Sequence, residues 1–103
     1  MTTDQLTAVL AKRVMGWGVG PDRFLTANRG WMPRWRFQPT ENLDDAFKLL
    51  ENAAPQDYSM GDGGKGFRVR VRIGRTVGEA HDISKPRAIT FAVARAVGIE
   101  VDK

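Results

Sequence analysis

Residues 67–73, with the sequence FRVRVRI, alternate strictly between apolar and arginine side chains, and this pattern constrains the fold more than any other feature. Successive side chains of a β-strand point to opposite faces of a sheet, so seven alternating residues indicate a strand with one buried and one polar face. The buried face is predicted to carry Phe67, Val69, Val71 and Ile73, and the polar face Arg68, Arg70 and Arg72. Such a strand needs neighbouring strands and a layer of apolar side chains against its buried face.

The alternating strand is predicted to form a hairpin with the segment before it. A glycine-rich stretch at residues 61–66, GDGGKG, separates it from DYSM at residues 57–60 and is typical of a turn. A third strand is expected over about Val77–His81, after a turn at Gly74–Thr76. The sequence therefore predicts an antiparallel sheet of two to four strands.

Three segments repeat apolar residues at helical spacing. The first helix is predicted over Asp4–Met15, with Gly16 in the left-handed stop position. The second begins after Asn42, which can cap it, and ends by Pro55. The third runs from Ser84 to Gly98 and is apolar around most of its circumference, so it needs cover on more than one side, from its own chain or a partner chain. The stripe of the second helix is expected to comprise Leu43, Ala46, Phe47 and Leu50. Three helices and an antiparallel sheet place the chain in the α+β class.

The length of 103 residues fits one domain, which is predicted to span residues 1–103. That length excludes enzymes that need a separate lid or cofactor domain. The sequence contains no cysteine, which excludes disulfides, thiolate catalysis and cysteine-ligated metal sites. No stretch is long and apolar enough for a membrane span, and the first residues lack a signal-peptide pattern, so the chain is expected in the cytoplasm, away from membranes.

The charges of the chain fall into blocks that are more informative than the net charge of +4. Residues 12–37 carry six cationic side chains against one carboxylate, residues 41–62 carry six carboxylates against one lysine, and residues 65–75 carry five cations and no acid. Arginine supplies most of the cations, and its planar guanidinium pairs bidentately with phosphate and carboxylate. The arginines are therefore predicted to meet an anionic ligand or an acidic surface, in the same chain or in a second copy.

The segment between the first two helices, residues 16–40, is predicted to be largely irregular. Its opening, GWGVGP, places three glycines and a proline within six positions. The stretch RWRF that follows Pro33 is expected to be short, extended and amphipathic. Trp35 and Phe37 are expected in the core, because large aromatic side chains dominate the cores of small domains, whereas Trp31 fits either a core or a surface position.

The chain contains several short motifs: VMGW at residues 14–17, the aromatic pair of RWRF, PTxNL at residues 39–43, and PRA at residues 86–88 before an alanine-rich helix. Together they resemble the pattern of the phage ABA sandwich domain family. The family consists of small phage and prophage proteins, so the resemblance implies an α–β–α layered sandwich and a phage-related origin. It supplies no catalytic motif, and the arginine- and tryptophan-rich segment 18–37 is fuller than the family pattern leads one to expect.

Motifs that would support catalysis or a cofactor lack the context they need. The turn at residues 61–66 matches the letters G-x-G-x-x-G, but a strand follows it where dinucleotide binding needs a helix N-terminus. His81 is the only histidine, and one histidine without cysteines cannot supply a metal site unaided. Asp44 and Asp45 are expected to stabilise the first turn of the second helix. The chain is therefore expected to be no enzyme and to need neither cofactor nor metal.

The favoured binding residues combine arginine with tryptophan. An indole ring can stack on a base, and an arginine fork can hold a phosphate. The arginines of the strand either line a pocket, meet acids of the second helix or face solvent. The predicted ligand-binding residues are Arg29, Trp31, Arg34, Arg36, Arg68, Arg70 and Arg72.

Three functions are compatible with these residues. The first is binding or sequestration of a small anionic, nucleotide-like ligand, by analogy with small phage proteins that sequester nucleotide signals. The second is a non-catalytic structural or protein-interaction role as a homo-oligomer that pairs acidic and basic surfaces. The third, nucleic-acid binding, is favoured least because an acidic block interrupts the basic segments. The expected partners are a small anionic ligand and a second copy of the chain.

Overall fold

Three helices and two antiparallel sheets make up the fold. The computed structural model describes residues 2–26, 30–62 and 64–99. The helices are α1 Thr3–Arg13, α2 Leu43–Ala53 and α3 Lys85–Ala96. The strands are β1 Gly18–Val19, β2 Arg23–Leu25, β3 Trp31–Pro33, β4 Asp57–Asp62, β5 Phe67–Ile73 and β6 Thr76–Asp82. The predicted α+β class is confirmed, with its three helices and its antiparallel sheet.

The first helix is held at its start by a reciprocal pair of hydrogen bonds. The backbone N–H of Gln5 donates to the Thr2 hydroxyl, and the backbone N–H of Thr2 donates to the Gln5 side chain. These bonds satisfy two donors that a helix start otherwise leaves free. Gly16 has a φ of +71°, the left-handed conformation that was predicted for it after the helix end.

The main sheet has the order β4-β5-β6, and it confirms the predicted alternation. Val69 pairs with Met60 and Ala80, and Val71 pairs with Tyr58 and Gly78. Both valines are buried and Ile73 is half-buried, whereas the three arginines between and beside them are exposed. Phe67, predicted on the buried face, is 37% exposed at the start of the strand, so its predicted burial is wrong. The sheet therefore has an inner face, which packs on the core, and an outer face, which carries the arginines.

The third helix lies against the inner face of the main sheet. Ser84 caps it by accepting the backbone N–H of Arg87, and Pro86 is accommodated in its first turn. It packs against β5, β6 and α2. Its buried residues are Ala88, Ile89, Thr90, Phe91, Ala92, Val93, Ala94 and Ala96. The cover that its apolar circumference requires therefore comes from its own chain.

The second helix begins and ends where the sequence predicts. The Asn42 side chain accepts the backbone N–H of Asp45, and Ala54 adopts a left-handed conformation immediately before Pro55. Its buried stripe is Ala46, Leu49 and Leu50, while Leu43 is 38% exposed. The stripe is rotated from the predicted one because α2 packs on α3 rather than directly on the sheet.

Residues 16–40 contain a second sheet, which the sequence did not predict. Its short strands have the order β1-β2-β3 and are antiparallel. The prediction that RWRF is extended is wrong, because Arg34–Arg36 form a turn of 3₁₀-helix closed by the Phe37 N–H donating to the Arg34 carbonyl. With this turn Trp35 and Phe37 no longer share the face that an extended chain would give them.

An aromatic cluster joins the small sheet to the rest of the core. The ring centroid of Trp17 lies 5.8 Å from that of Phe24 and 5.0 Å from that of Phe37, and the two phenylalanine centroids are 6.1 Å apart. The tilted and edge-to-face arrangements are those that aromatic pairs favour. Phe37 is 1% exposed, as predicted, but Trp35 is 69% exposed, so the expectation of a core Trp35 is wrong.

Candidate functional site

The predicted binding residues lie on two different surfaces. Arg68, Arg70 and Arg72 lie on the outer face of the main sheet. Trp31, Arg34 and Arg36 lie on β3 and the 3₁₀ turn. The hollow that contains Arg70 and the cleft that contains Arg34 share no lining residue, so the structure does not bring the two groups into one pocket. Arg29 and Gly63 lie outside the described residues.

Two of the three arginines on the outer face are paired with carboxylates. Arg72 lies 2.9 Å from Asp57 of the neighbouring strand β4, whereas Arg68 lies 3.9 Å from Glu79 of β6. Arg70 is flanked by Ser59 and Glu79 in the sheet register. Among the described residues Arg70 has no ion-pair partner, so its guanidinium is available to an external anion.

A shallow hollow of about 360 Å³ lies beside Arg70. Gly61 contributes to its openness, because nothing lies within 4 Å of where a β-carbon would stand. The Asp62 carboxylate accepts the backbone N–H of Gly64 and is engaged with the turn. The residues that line the hollow are Ser59, Met60, Gly61, Asp62, Arg68, Arg70 and Glu79.

A second hollow adjoins the first through Arg68 and Glu79. It adds Ala80 and two polar side chains to the candidate site, those of His81 of β6 and Arg95 of α3. Arg95 reaches from the last turn of its helix to donate a hydrogen bond of 2.6 Å to the Glu79 carbonyl. Sequence analysis missed Arg95 because its position follows from how α3 packs on β6, which no local pattern records. Together the two hollows place three guanidinium groups and an imidazole along one strip of the sheet.

A deeper cleft of about 370 Å³ lies between the start of α1, strand β2 and the 3₁₀ turn. Buried Phe24 and Phe37 line it alongside exposed Trp35 and half-buried Arg34. The Arg34 guanidinium lies 5.4 Å from the centroid of the Phe24 ring, and its Nε is buried without a hydrogen-bond acceptor among the described residues. The remaining lining residues are Thr3, Asp4, Thr7, Asp22, Gln38, Thr40 and Glu41.

The charges around this cleft are mainly negative. Three carboxylates line it against one guanidinium, that of Arg34. Asp22 is 3.1 Å from Arg23, and the hydrogen bond and charge of Arg23, followed by the weaker charge of Arg34, lower the pKa of the Asp22 carboxyl below its ordinary value. A carboxyl whose pKa is lowered by folding stabilises the folded state at pH values above its ordinary pKa. That stabilisation is lost as the pH falls through the lowered pKa. Asp22 therefore remains ionised at neutral pH.

The rings of the two exposed tryptophans, Trp31 and Trp35, are each in cation–π contact with an arginine. Arg23 lies 5.5 Å from the Trp31 ring centroid, and Arg36 lies 6.0 Å from that of Trp35. Trp31 is 61% exposed, which settles its position on the surface. These cation–π pairs leave the indole faces partly occupied by the chain itself.

The fold is similar to that of a solved structure, a phage protein from Bacillus cereus ATCC 14579. The match has a TM-score of 0.76 and 19% sequence identity, and it covers 99% of this chain and 93% of the other. No protein-family model matches the chain, and no curated protein matches it. At this identity the similarity shows the fold. Within residues 2–26, 30–62 and 64–99, no helix combines the length and apolar character that crossing a membrane requires.

Proposed function

We propose that this chain is a phage-related, non-catalytic binding protein that holds a small anionic ligand on the outer face of its main sheet. The phage origin is supported by the shared fold of the Bacillus cereus phage protein and by the motifs that resemble the phage ABA sandwich domain family. The anionic ligand is supported above all by one observation: the Arg70 guanidinium, which has no ion-pair partner in the part of the chain that the structure describes, lies beside an open hollow. The proposed location is the cytoplasm.

Arg70 is assigned the central role in this site. A guanidinium offers two parallel N–H donors to a phosphate or carboxylate, and Ser59 can add a hydroxyl donor from the adjacent strand. The ion pair between Arg68 and Glu79 is long, at 3.9 Å, and both side chains are largely exposed. Such a pair contributes little stability, so Arg68 can turn from Glu79 towards a ligand. Arg95 and His81 extend the strip on the other side of Arg68.

The lining residues favour only the anionic part of the nucleotide-like ligand that the sequence predicted. Apart from the His81 imidazole, they include no aromatic ring, so the site offers phosphate or carboxylate recognition without a tryptophan or tyrosine ring for base stacking. Trp31 and Trp35, which were expected to supply stacking, lie on the other sheet and the 3₁₀ turn. The proposal therefore rests on the anionic group of the ligand.

The test is a calorimetric titration with inorganic pyrophosphate, AMP and a cyclic dinucleotide. Arg70→Ala is expected to weaken binding by about tenfold or more, because hydrogen bonds to charged groups contribute about 1.5–3 kcal/mol each. Arg75→Ala is the matched control, since it removes the same charge from the exposed β5–β6 turn. Equal losses in the two variants would show general charge attraction and overturn the proposal.

A homo-oligomer is the second candidate, and the two exposed tryptophans favour it, because tryptophan is enriched at protein interfaces. Light scattering on the same sample distinguishes the two functions. No binding of any anion together with a stable dimer would replace the first proposal by the second. Tight binding to a DNA duplex, with a steep salt dependence, would instead favour nucleic acid.

A further inference from the structure

The cleft between α1, β2 and the 3₁₀ turn is a separate site from the outer face, and its lining is negative overall, with three carboxylates against one guanidinium. Its apolar lining includes Phe24, Phe37 and the exposed Trp35 ring. Its one cation is Arg34, whose guanidinium forms no ion pair among the described residues. A cleft that offers apolar contact area and a hydrogen-bond donor, here the Arg34 guanidinium, is suited to an organic ligand.

The carboxylates of the cleft come from three different parts of the chain. Asp4 lies in the first turn of α1, Asp22 precedes β2, and Glu41 precedes the cap of α2. Arg23 compensates one of them, but it is not among the residues that line the cleft. Even when Arg23 is counted, negative charges exceed positive ones, so the cleft attracts cations and repels anions.

We propose that this cleft binds a basic amino-acid residue, in which a cationic amino or guanidino group is carried on an aliphatic chain that bears a carbonyl oxygen. The ligand cation lies among Asp4, Asp22 and Glu41. The carbonyl oxygen accepts from the Arg34 guanidinium, and the aliphatic chain packs on the Trp35 ring. A free basic amino acid and a basic residue within a peptide present this same chemistry.

The charge distribution disfavours the two other ligand classes that arginine and tryptophan could bind. A nucleotide phosphate at Arg34 would lie close to Asp22, because both residues line the cleft and the Arg34 backbone N–H donates to the Asp22 carbonyl. A nucleic-acid strand stacked on Trp35 would place its phosphates beside the same acidic lining. A cation with a neutral acceptor avoids both repulsions.

The test is an NMR titration with a matched ligand series. N-acetyl-arginine amide carries the cation and the carbonyl of a peptide residue, and N-acetyl-citrulline amide has nearly the same shape without the charge. Agmatine carries the guanidinium without the carbonyl, with an ammonium group in place of the acetylated amine, and free L-arginine distinguishes an amino-acid site from a peptide site. The indole N–H of Trp35 and the Nε–H of Arg34 report binding directly. N-acetyl-arginine amide is expected to shift both resonances, and the citrulline compound to shift neither at the same concentration.

Two kinds of variant assign the contacts. Asp22→Asn and Glu41→Gln are each expected to weaken binding of N-acetyl-arginine amide by about two- to fivefold, the range of exposed ion pairs. Glu51→Gln is the matched control, because it neutralises an exposed carboxylate on α2 outside the cleft and is expected to change nothing. Arg34→Lys is expected to weaken the amide ligand and to leave agmatine unaffected, because agmatine has no acceptor for the guanidinium.

Three results would overturn the proposal. Equal binding of the citrulline and arginine compounds would show that charge does not select the ligand. Shifts of the Arg34 and Trp35 resonances with inorganic phosphate or a short oligonucleotide, but not with N-acetyl-arginine amide, would make the cleft an anion site. Unchanged resonances with every probe, in a protein whose spectrum shows it folded, would show that the cleft binds no basic residue.

Discussion

At Gly78, on the inner face of β6, the backbone of α3 comes so close that a side chain has no room. A β-carbon at this position would overlap the carbonyl oxygen of Ala92 and the backbone nitrogen of Ala96. The clash is with backbone of a packed helix, which cannot rotate away as a flexible side chain can. The lack of a side chain at Gly78 therefore allows the helix and the sheet to pack this closely.

Gly78→Ala is accordingly expected to destabilise the fold by about 1–3 kcal/mol, the usual range for overpacking a core. Urea unfolding followed by far-UV circular dichroism measures the change. The matched control is Gly61→Ala in β4, where nothing lies within 4 Å of the added carbon and the free energy of unfolding is expected to change by less than about 0.5 kcal/mol. A similar loss of unfolding free energy in both variants would attribute the loss to replacing a glycine within a strand rather than to the contact with α3.

At the scale of elements, a buried hydrogen bond ties α3 to the segment that precedes α2. The Thr90 hydroxyl donates to the Pro39 carbonyl at 2.7 Å, and both residues are buried. Thr90→Val keeps the shape and leaves that carbonyl without its donor, so we expect a loss of about 1–3 kcal/mol in the free energy of unfolding. Thr7→Val is the control, because the Thr7 hydroxyl bonds within α1 to a carbonyl of the same helix. Urea titrations in which Thr7→Val destabilised as much as Thr90→Val would contradict this account.

The elements differ in how far sequence patterns predict them. The cap at Asn42, the start of the third helix near Ser84 and the alternation of β5 are local features, and each is found where predicted. Strands β1 to β3 have only two or three residues each, too few to show a period of two. Trp35 was misplaced for a related reason, because the 3₁₀ turn after Pro33 changes which residues share a side. The cleft and Arg95 depend on packing between distant segments, which no local pattern contains.

At the scale of the whole molecule, the described chain extends over 39 × 27 × 23 Å. One continuous core reaches from Leu6 of α1 through Phe24 of the small sheet to Val69 and Ile89 of the main sheet and α3. Two of the three arginines on the outer face of the main sheet are paired with carboxylates, whereas the cleft has three carboxylates against one guanidinium and is negative overall. This difference in charge is expected to make the two places select different ligands.

Because the two sites share no lining residue, their ligands are expected to bind at the same time and independently. A ligand at about 100 times its dissociation constant stabilises a folded protein by about 2.7 kcal/mol. Saturating pyrophosphate and N-acetyl-arginine amide should therefore raise the free energy of unfolding by amounts that add to within about 0.5 kcal/mol, as distant sites do. Urea unfolding with each ligand alone and with both measures this, and a tenfold loss of affinity in Arg70→Ala should lower only the pyrophosphate increment, from about 2.7 to about 1.4 kcal/mol. A joint increment no larger than the greater single one would mean that both ligands compete for one site, and the division of the molecule into two separate sites would be wrong.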